Sequence, residues 1–442
     1  RVSRGLGDVY KRQIYEIAEY TLKALKDCGA DAAQCIVGRS KKDELNVDGG
    51  KFSLMRSTFN TSISMKAIKD GKKGVTSINQ ATKEAIDEAA AQCIAAAESS
   101  VPDEAEQIAP FTAKVEYKTG VFEPDLNKLF DRIEEFMSQT KKEYPKVILE
   151  QLISDYEHSE KFYMNTNGTS LRYEHGEYSF NTMFSAHEGE KASSFNGYFC
   201  ALDNLDKPFM DAGMQRQLLE ESEKQLNTVS PSEKFVGKVI YSPDCFNELL
   251  QTALENFASS GVLIDGTSPW KDALNTKVAS EKLNLRSVPL DDKTVVGQRF
   301  TSDGYPAENM DIIVDGVLKT FILSQYGANK TGFPRALNGG NNLEVLPGDK
   351  TLEEMISGID RGLIVNRFSG GQPSSNGDFS GVAKNSFLIE NGKVSSAVSE
   401  TMISGNIIDM LNNIVAISKE QTTDGLSFMP WAEFDGVTVS GK

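Results

Sequence analysis

Histidine, cysteine and clustered carboxylates are the side chains that most often hold metals or move protons, and this chain uses the first two sparingly. Its histidines are His158, His175 and His187, seventeen and twelve residues apart, on or beside predicted strands, with no cysteine at ligand spacing. A cross-strand metal site is geometrically open to them, but surface or turn positions are the expected reading. The five cysteines (Cys28, Cys35, Cys93, Cys200, Cys245) are far apart and never spaced C-x-x-C. That usage fits a reducing compartment better than a disulfide scaffold. The loop "SGGQPSSNGDFSG" (369–381) is glycine-rich but lacks the G-K-[ST] ending that sets a lysine on phosphates. It reads as a loop shaping a cavity wall. No G-x-S-x-G elbow appears, and three histidines leave little for a serine or cysteine triad.

The carboxylate that draws attention is Glu248, in "NELLQTALEN" (247–256). Phe246, Leu249, Leu250, Ala253, Leu254 and Phe257 recur with helical spacing and form one apolar stripe, so the segment is expected to be a core helix. Glu248 and Glu255 then point away from the stripe, toward solvent. A solvated surface role is the expected reading for Glu248, and a catalytic role is the alternative.

The elements that must position these residues are set by the whole chain. Its 442 residues suffice for about three domains at the usual ~150 residues each. The formal charge of −16 implies no basic face for a phosphate backbone, so nucleic acid is not an expected partner. No apolar run approaches the ~20 residues needed to span a bilayer, and the protein is expected to be soluble and cytoplasmic. "SRGLGDVYKRQ" (Ser3 to Gln13) matches the translation of a transposon adaptor used in sequencing libraries. Residues 1–13 are therefore read as a non-native scar, and excluding them leaves the remainder more acidic.

Helical spacing begins at Ile14, Ile17, Ala18, Leu22 and Leu25 and stops at Gly29. Strands are expected at 32–38, 43–48, 60–69 and 73–78, with Asp48-Gly49 and Asp70-Gly71 as turn signals, then a helix over 79–100. With it they make a first domain, 14–110. A central domain, 111–230, opens with a helix near 124–143 and continues as strands 146–158 and 170–189 around the hairpin signal Asn167-Gly168. The C-terminal domain, 231–442, carries three more hairpin signals, Asp315-Gly316, Asn391-Gly392 and Asp435-Gly436, with helices at 244–258, 350–360 and 405–414. The fold class is α+β: an N-terminal α/β domain, a central α/β segment with hairpins, and a largely antiparallel β domain with packed helices.

Three C-terminal blocks carry a resemblance. "MDIIVDGVLKTFILSQYGANKTG" (310–332), "GGQPSSNGDFSGVAKNSFLIENGKV" (370–394) and "ETMISGNIIDMLNNIVAIS" (400–418) resemble, in order and spacing, the TldD/PmbA family, also called the modulator of DNA gyrase family. The likeness extends more weakly over everything after the scar. It implies one subunit of a bacterial or archaeal zinc metallopeptidase, a heterodimer enclosing a cavity in which flexible or unfolded peptides are cut. The catalytic TldD-like subunit carries H-E-x-x-x-H on a helix plus a distant cysteine, and the PmbA-like (TldE-like) subunit carries neither. Here "NELLQTALEN" occupies the place of that helix, with Asn247 and Thr252 where the histidines would stand and Glu248 at the general base. Zinc needs imidazole, thiolate or carboxylate ligands, and no cysteine follows Cys245. The implied reading is a PmbA/TldE-like subunit without metal, cofactor or catalytic residues of its own, the zinc coming from the TldD-like partner. A stand-alone, non-hydrolytic peptide-binding homodimer is the alternative. The family's association with gyrase gives this acidic chain no reason to touch DNA.

Overall fold

The computed structural model describes residues 2–231, 233–399 and 401–441, with side chains from residue 13 onward. The expected adaptor scar, residues 1–13, therefore lies almost wholly outside the described side chains. Helix α1 (Val2–Asp27) leads into strands β1 (Ala32–Asp48), β2 (Lys51–Lys69) and β3 (Lys72–Ile78), then α2 (Lys83–Ser99) and β4 (Lys114–Gly120). Next come α3 (Leu126–Glu143), β5 (Val147–Asn165), β6 (Ser170–Glu188), β7 (Lys191–Ala192), β8 (Asn196–Leu202) and α4 (Gln215–Lys224). The architecture is α+β.

The two strands expected at 32–38 and 43–48 are one. The polar stretch Arg39–Lys42 between them does not break β1, because its backbone is paired on both sides, to β2 and to β5. With both neighbours in register, every N–H and C=O of the segment has a partner whatever its side chains prefer. The first sheet runs β3-β2-β1-β5-β6-β4, with β7 and β8 also on β6. The segments 14–110 and 111–230 thus share one sheet, joined by the antiparallel ladder Gln34↔Asn165 to Asp48↔Gln151.

Period-two alternation divides this sheet into two unlike faces. Cys35, Val37, Ile63, Met65 and Phe162 point to α1 and α2, while Leu45, Val47, Leu152 and Phe180 pack with α3 and α4. Two of these helices are started locally: Thr82 caps the N-terminus of α2 by accepting from the Ala85 amide, and Asp125 that of α3 by accepting from the Lys128 amide. The opposite face carries Gly38, Ser40, Ser62, Lys161 and Tyr173 and is largely polar. Beyond Ile63 toward its N-terminus, β2 has no outer neighbour, since β3 pairs only with 63–69. Met55 and Phe59 on that edge are each more than 70% exposed.

The turns behave as expected at Asp70-Gly71, Asp315-Gly316 and Asn391-Gly392, where both residues have positive φ. Two sites differ. At Asn167-Gly168 only Gly168 has positive φ, at 92°. There the buried Asn165 accepts from the amides of Asn167 and Thr169 at 3.0 and 3.1 Å, and a longer loop replaces the two-residue turn. Asp435-Gly436 is no hairpin. It is a bulge within the strand Phe428–Ser440, because Phe434 and Val437 pair with Val239 and Gly237, leaving two residues opposite Lys238.

The C-terminal sheet is mainly antiparallel and is centred on Phe428–Ser440 with β9 (Thr228–Val229) at one end. Its β10 (Phe235–Tyr241) lies beside that central strand, and α5 (Pro243–Phe257) packs on it through Phe246 and Phe434, 5.8 Å apart. This domain meets the polar face of the first sheet at Tyr163, Leu171 and Phe300, all buried. Gly304 makes that approach possible. At φ +94°, its missing Cβ would stand 2.3 Å from the Tyr163 ring, and its carbonyl accepts from Thr112 Oγ1 at 2.7 Å. Gly304→Ala adds a methyl to a filled space and an unfavourable φ, so it should lower stability by about 2–3 kcal/mol. Urea unfolding at constant m-value measures it, and a loss below ~0.5 kcal/mol would show that the junction yields freely.

Candidate functional site: the cleft at helix α5

Helix α5 starts where the sequence says it should. Ser242 accepts from the Cys245 amide at 3.5 Å, Pro243 fills the first helical position, and the helix ends at Ala258. Its buried side comprises Phe246, Leu249, Leu250, Ala253, Leu254 and Phe257, the apolar stripe read from the sequence. What remains is a polar side of Asp244, Asn247, Glu248 and Gln251.

That side lines a cleft of about 680 Å³, whose other wall is the first sheet at Gln151, Asn181 and Met183, with Phe199 of β8. Glu248 is accessible, but it faces this cleft rather than open solvent. Crowding by the walls raises its pKa, and the Arg367 guanidinium opposes the rise. Solvent reaches one side of Asp244, yet burial and then the Asp424 carboxylate push its pKa up to about 6. Asp424 itself is held by the Leu426 and Ser427 amides, at 2.9 and 2.7 Å.

Asn247 donates to Ser427 Oγ at 3.4 Å, while its buried Oδ1 has no hydrogen-bond partner; the same is true of the Oδ1 of Asn366 across the cleft. Thr252 is not on the cleft wall. Five residues after Asn247 a helix has turned ~140° away, and the residue that shares the face of Asn247 is Gln251, four on. Gln251, Asn366, Arg367 and Asp424 escaped the reading of the sequence, because three of them come from distant parts of the chain. Gln251 alone was within reach of i, i+4 spacing.

The cleft continues. A second cavity of about 400 Å³ shares Asn247, Gln251 and Asp424 and passes Asn342 to Gly297 and Gln298. A third, of about 580 Å³, shares Gly297 and Gln298 and opens on the polar face of β1, β2 and β5. The three form one groove between sheet and C-terminal domain.

The polar side chains of the cleft are carboxamides, carboxylates, hydroxyls, the Cys245 thiol and one guanidinium, and among the described residues no three His, Cys, Asp or Glu side chains are grouped as a metal site. The histidines are elsewhere and engaged. His158 Nε2 lies 3.0 Å from Glu174, His187 Nε2 2.9 Å from Ser185 Oγ, and His175 Nδ1 2.8 Å from Thr119 Oγ1. Burial lowers the pKa of His175. Cys245 is buried, which drives its thiol well above the ordinary range.

Comparison with known proteins bears on the whole arrangement. Residues 33–97 match the model of "PmbA/TldA metallopeptidase domain 1" and residues 234–441 that of the "PmbA/TldA metallopeptidase C-terminal domain". The chain belongs to the PmbA/TldD family. The PmbA metalloprotease of Escherichia coli is 32% identical over 155 residues, 34% of each chain. A metalloprotease of Methanocaldococcus jannaschii is 29% identical over 212 residues, 44% of this chain and 46% of that one. The chain spans about half the length of the curated relatives it matches first. TldE from Thermococcus kodakarensis shares the fold, with a TM-score of 0.83 at 22% identity over 96% of this chain and all of that one. Within the PmbA/TldD fold, α5 is the first helix of the matched C-terminal domain, directly after β10.

The site makes one pH dependence testable. Because the folded pKa of Asp244 lies above its ordinary value of 3.8, its contribution to stability is complete below about pH 4 and is lost as pH rises through about 6. Asp244→Asn should therefore be more stable than wild type at pH 7.5 and equal to it at pH 3.5. Equal melting temperatures at both pH values would refute the assigned environment.

Proposed function

We propose that this chain is the PmbA/TldE-like, non-catalytic subunit of a TldD/PmbA-type zinc metallopeptidase that cuts flexible or unfolded peptides in the cytoplasm. Its role is to complete the cavity and hold substrate, and a TldD-like partner supplies the zinc, its histidines and the general base. One observation carries the reading: α5 presents Asn247, Glu248 and Gln251, and no histidine, to the groove between the first sheet and the C-terminal domain. Amide side chains both donate and accept, which suits an extended peptide backbone. Backbone recognition of this kind reads peptides with little sequence preference. All five cysteines are free, in keeping with a reducing compartment. No helix among the described residues is long and apolar enough to cross a membrane.

The unpaired outer edge of β2 is the observation that favours the second reading, a peptide-binding homodimer, because a second chain could pair there. Co-expression with a histidine-bearing paralogue separates the two. The subunit reading expects a stable complex that degrades casein or an unstructured peptide, with no activity in either chain alone. Full activity from this chain by itself, or a homodimer that ignores the paralogue, overturns it. Elemental analysis after dialysis against a weak chelator should find no stoichiometric zinc in the isolated chain, and one tightly held ion per chain would contradict the reading.

Glu248 gives a finer test. A general base works only within reach of the water it deprotonates. Glu248→Gln in this chain should leave the complex within a few-fold of wild type, whereas the equivalent change in the partner's motif should cost roughly 10²–10⁴ in rate. A hundredfold loss from Glu248→Gln in an assembled complex would place α5 in the active site.

A further inference from the structure

The far end of the groove differs from the α5 cleft in its charge. Strand register sets a row of side chains across the polar face, Ser62 on β2, Gly38 on β1, Lys161 on β5 and Tyr173 on β6. Gly38 leaves bare backbone between Ser62 and Lys161, and a Cβ there would come within 2.7 Å of Ser62 Oγ. Arg299 reaches the same cavity from the C-terminal domain. Neither Lys161 nor Arg299 has an ion-pair partner among the described residues. The buried Nε of Arg299 has no acceptor at all. One acid borders the cavity, Glu160, but alternation turns it to the helical face, where Arg172 holds it at 2.5 Å. A chain with 63 acidic residues against 47 basic ones has thus left Lys161 and Arg299 lining, with Arg39, a cavity whose one bordering carboxylate is already paired.

Uncompensated cations in a partly desolvated site are unfavourable unless something anionic arrives. Burial alone already pushes the Lys161 ammonium pKa down. A guanidinium presents N–H donors in a planar fork that a carboxylate can fill with two parallel hydrogen bonds, and an ammonium adds a further donor. The hydroxyls of Ser62, Ser64 and Ser159 line the same space. The cavity is continuous with the α5 cleft through Gly297 and Gln298, so an occupant of one extends naturally into the other.

We infer that Lys161 and Arg299 form a carboxylate-binding subsite for an extended peptide lying in the groove, engaging either an acidic side chain or the C-terminal carboxylate. The inference rests on the peptide-holding role proposed above and adds a preference that backbone contacts cannot supply. Peptides with a carboxylate at the right distance from the α5 cleft are selected over neutral ones.

The test uses the full chain, alone and with its histidine-bearing partner, and fluorescence anisotropy of a labelled, unstructured decapeptide containing one Glu and a free C-terminus. One twin carries Gln for Glu, and the other ends in an amide. One twin should bind about tenfold more weakly than the parent, and which one tells the side-chain carboxylate from the terminal one. Lys161→Gln and Arg299→Gln should erase that difference. Ser62→Asp, a surface change that leaves the packed core untouched, should erase it too by placing an internal carboxylate in the row. Equal binding of parent and both twins by wild type overturns the subsite, as does a preference that survives all three substitutions. So does retention of inorganic phosphate at these residues with no peptide bound. Peptide binding without a carboxylate preference refutes the subsite and leaves the peptide-holding role standing. A complex that binds no peptide and cleaves none refutes both.

Discussion

The antiparallel ladder between β1 and β5 is the constraint on which the rest of the molecule depends. It runs from Gln34↔Asn165 to Asp48↔Gln151 and joins segments more than a hundred residues apart. Because side chains alternate strictly, one registration decides which residues of the two strands share a face along its whole length. With β1 held in place, a slip by one residue would turn Phe162 to the groove and Lys161 to α1. The core under the helices and the polar wall of the groove are two results of a single registration.

The groove follows from a second fact, that the C-terminal domain touches this wall at Tyr163 and again around the α5 cleft. Between those contacts the polar face is not filled by side chains of the opposite domain. Polar residues tolerate such a space because water or a ligand satisfies them, whereas an apolar wall would close. The groove's lining accordingly changes in character along its length, from amides and carboxylates at α5 to Lys161 of β5 and Arg299 of the C-terminal domain. An occupant that spans it meets different chemistry at its two ends.

How much of this was legible in the sequence depends on the range of the interaction that sets each feature. The helix over 244–258 was legible because its apolar stripe and its Ser-Pro start are local. The turns at Asp70-Gly71, Asp315-Gly316 and Asn391-Gly392 were legible because positive φ at both positions suits those residues. Asp435-Gly436 misled because the same dipeptide serves a bulge, and only the partner strand, with its single Lys238, tells the two apart. The unity of β1 was hidden because Arg39 to Lys42 carry no strand signal and are held by neighbours on both sides. In the site, Glu248 was visible but its surroundings were not. Its exposure to a cleft rather than to bulk water depends on Arg367 and the first sheet, which no local pattern announces. Lys161 and Arg299 lie 138 positions apart and meet only through the fold.

The same ladder has a consequence for biosynthesis. β1, β2 and β3 emerge early and can form with α1 and α2, but the second edge of β1 has no neighbour until β5 has been made. At ~5–20 residues per second that delay is on the order of ten seconds. During this interval the nascent chain shows two open strand edges, that of β1 and the permanently unpaired stretch of β2 with Met55 and Phe59. Lys41 and Lys42 on the waiting strand and Lys51 and Arg56 on its neighbour keep charge at those edges, a recognised protection against strand-to-strand association. The polar interruption that obscured β1 in the sequence also places charge on the edge that waits longest for its neighbour.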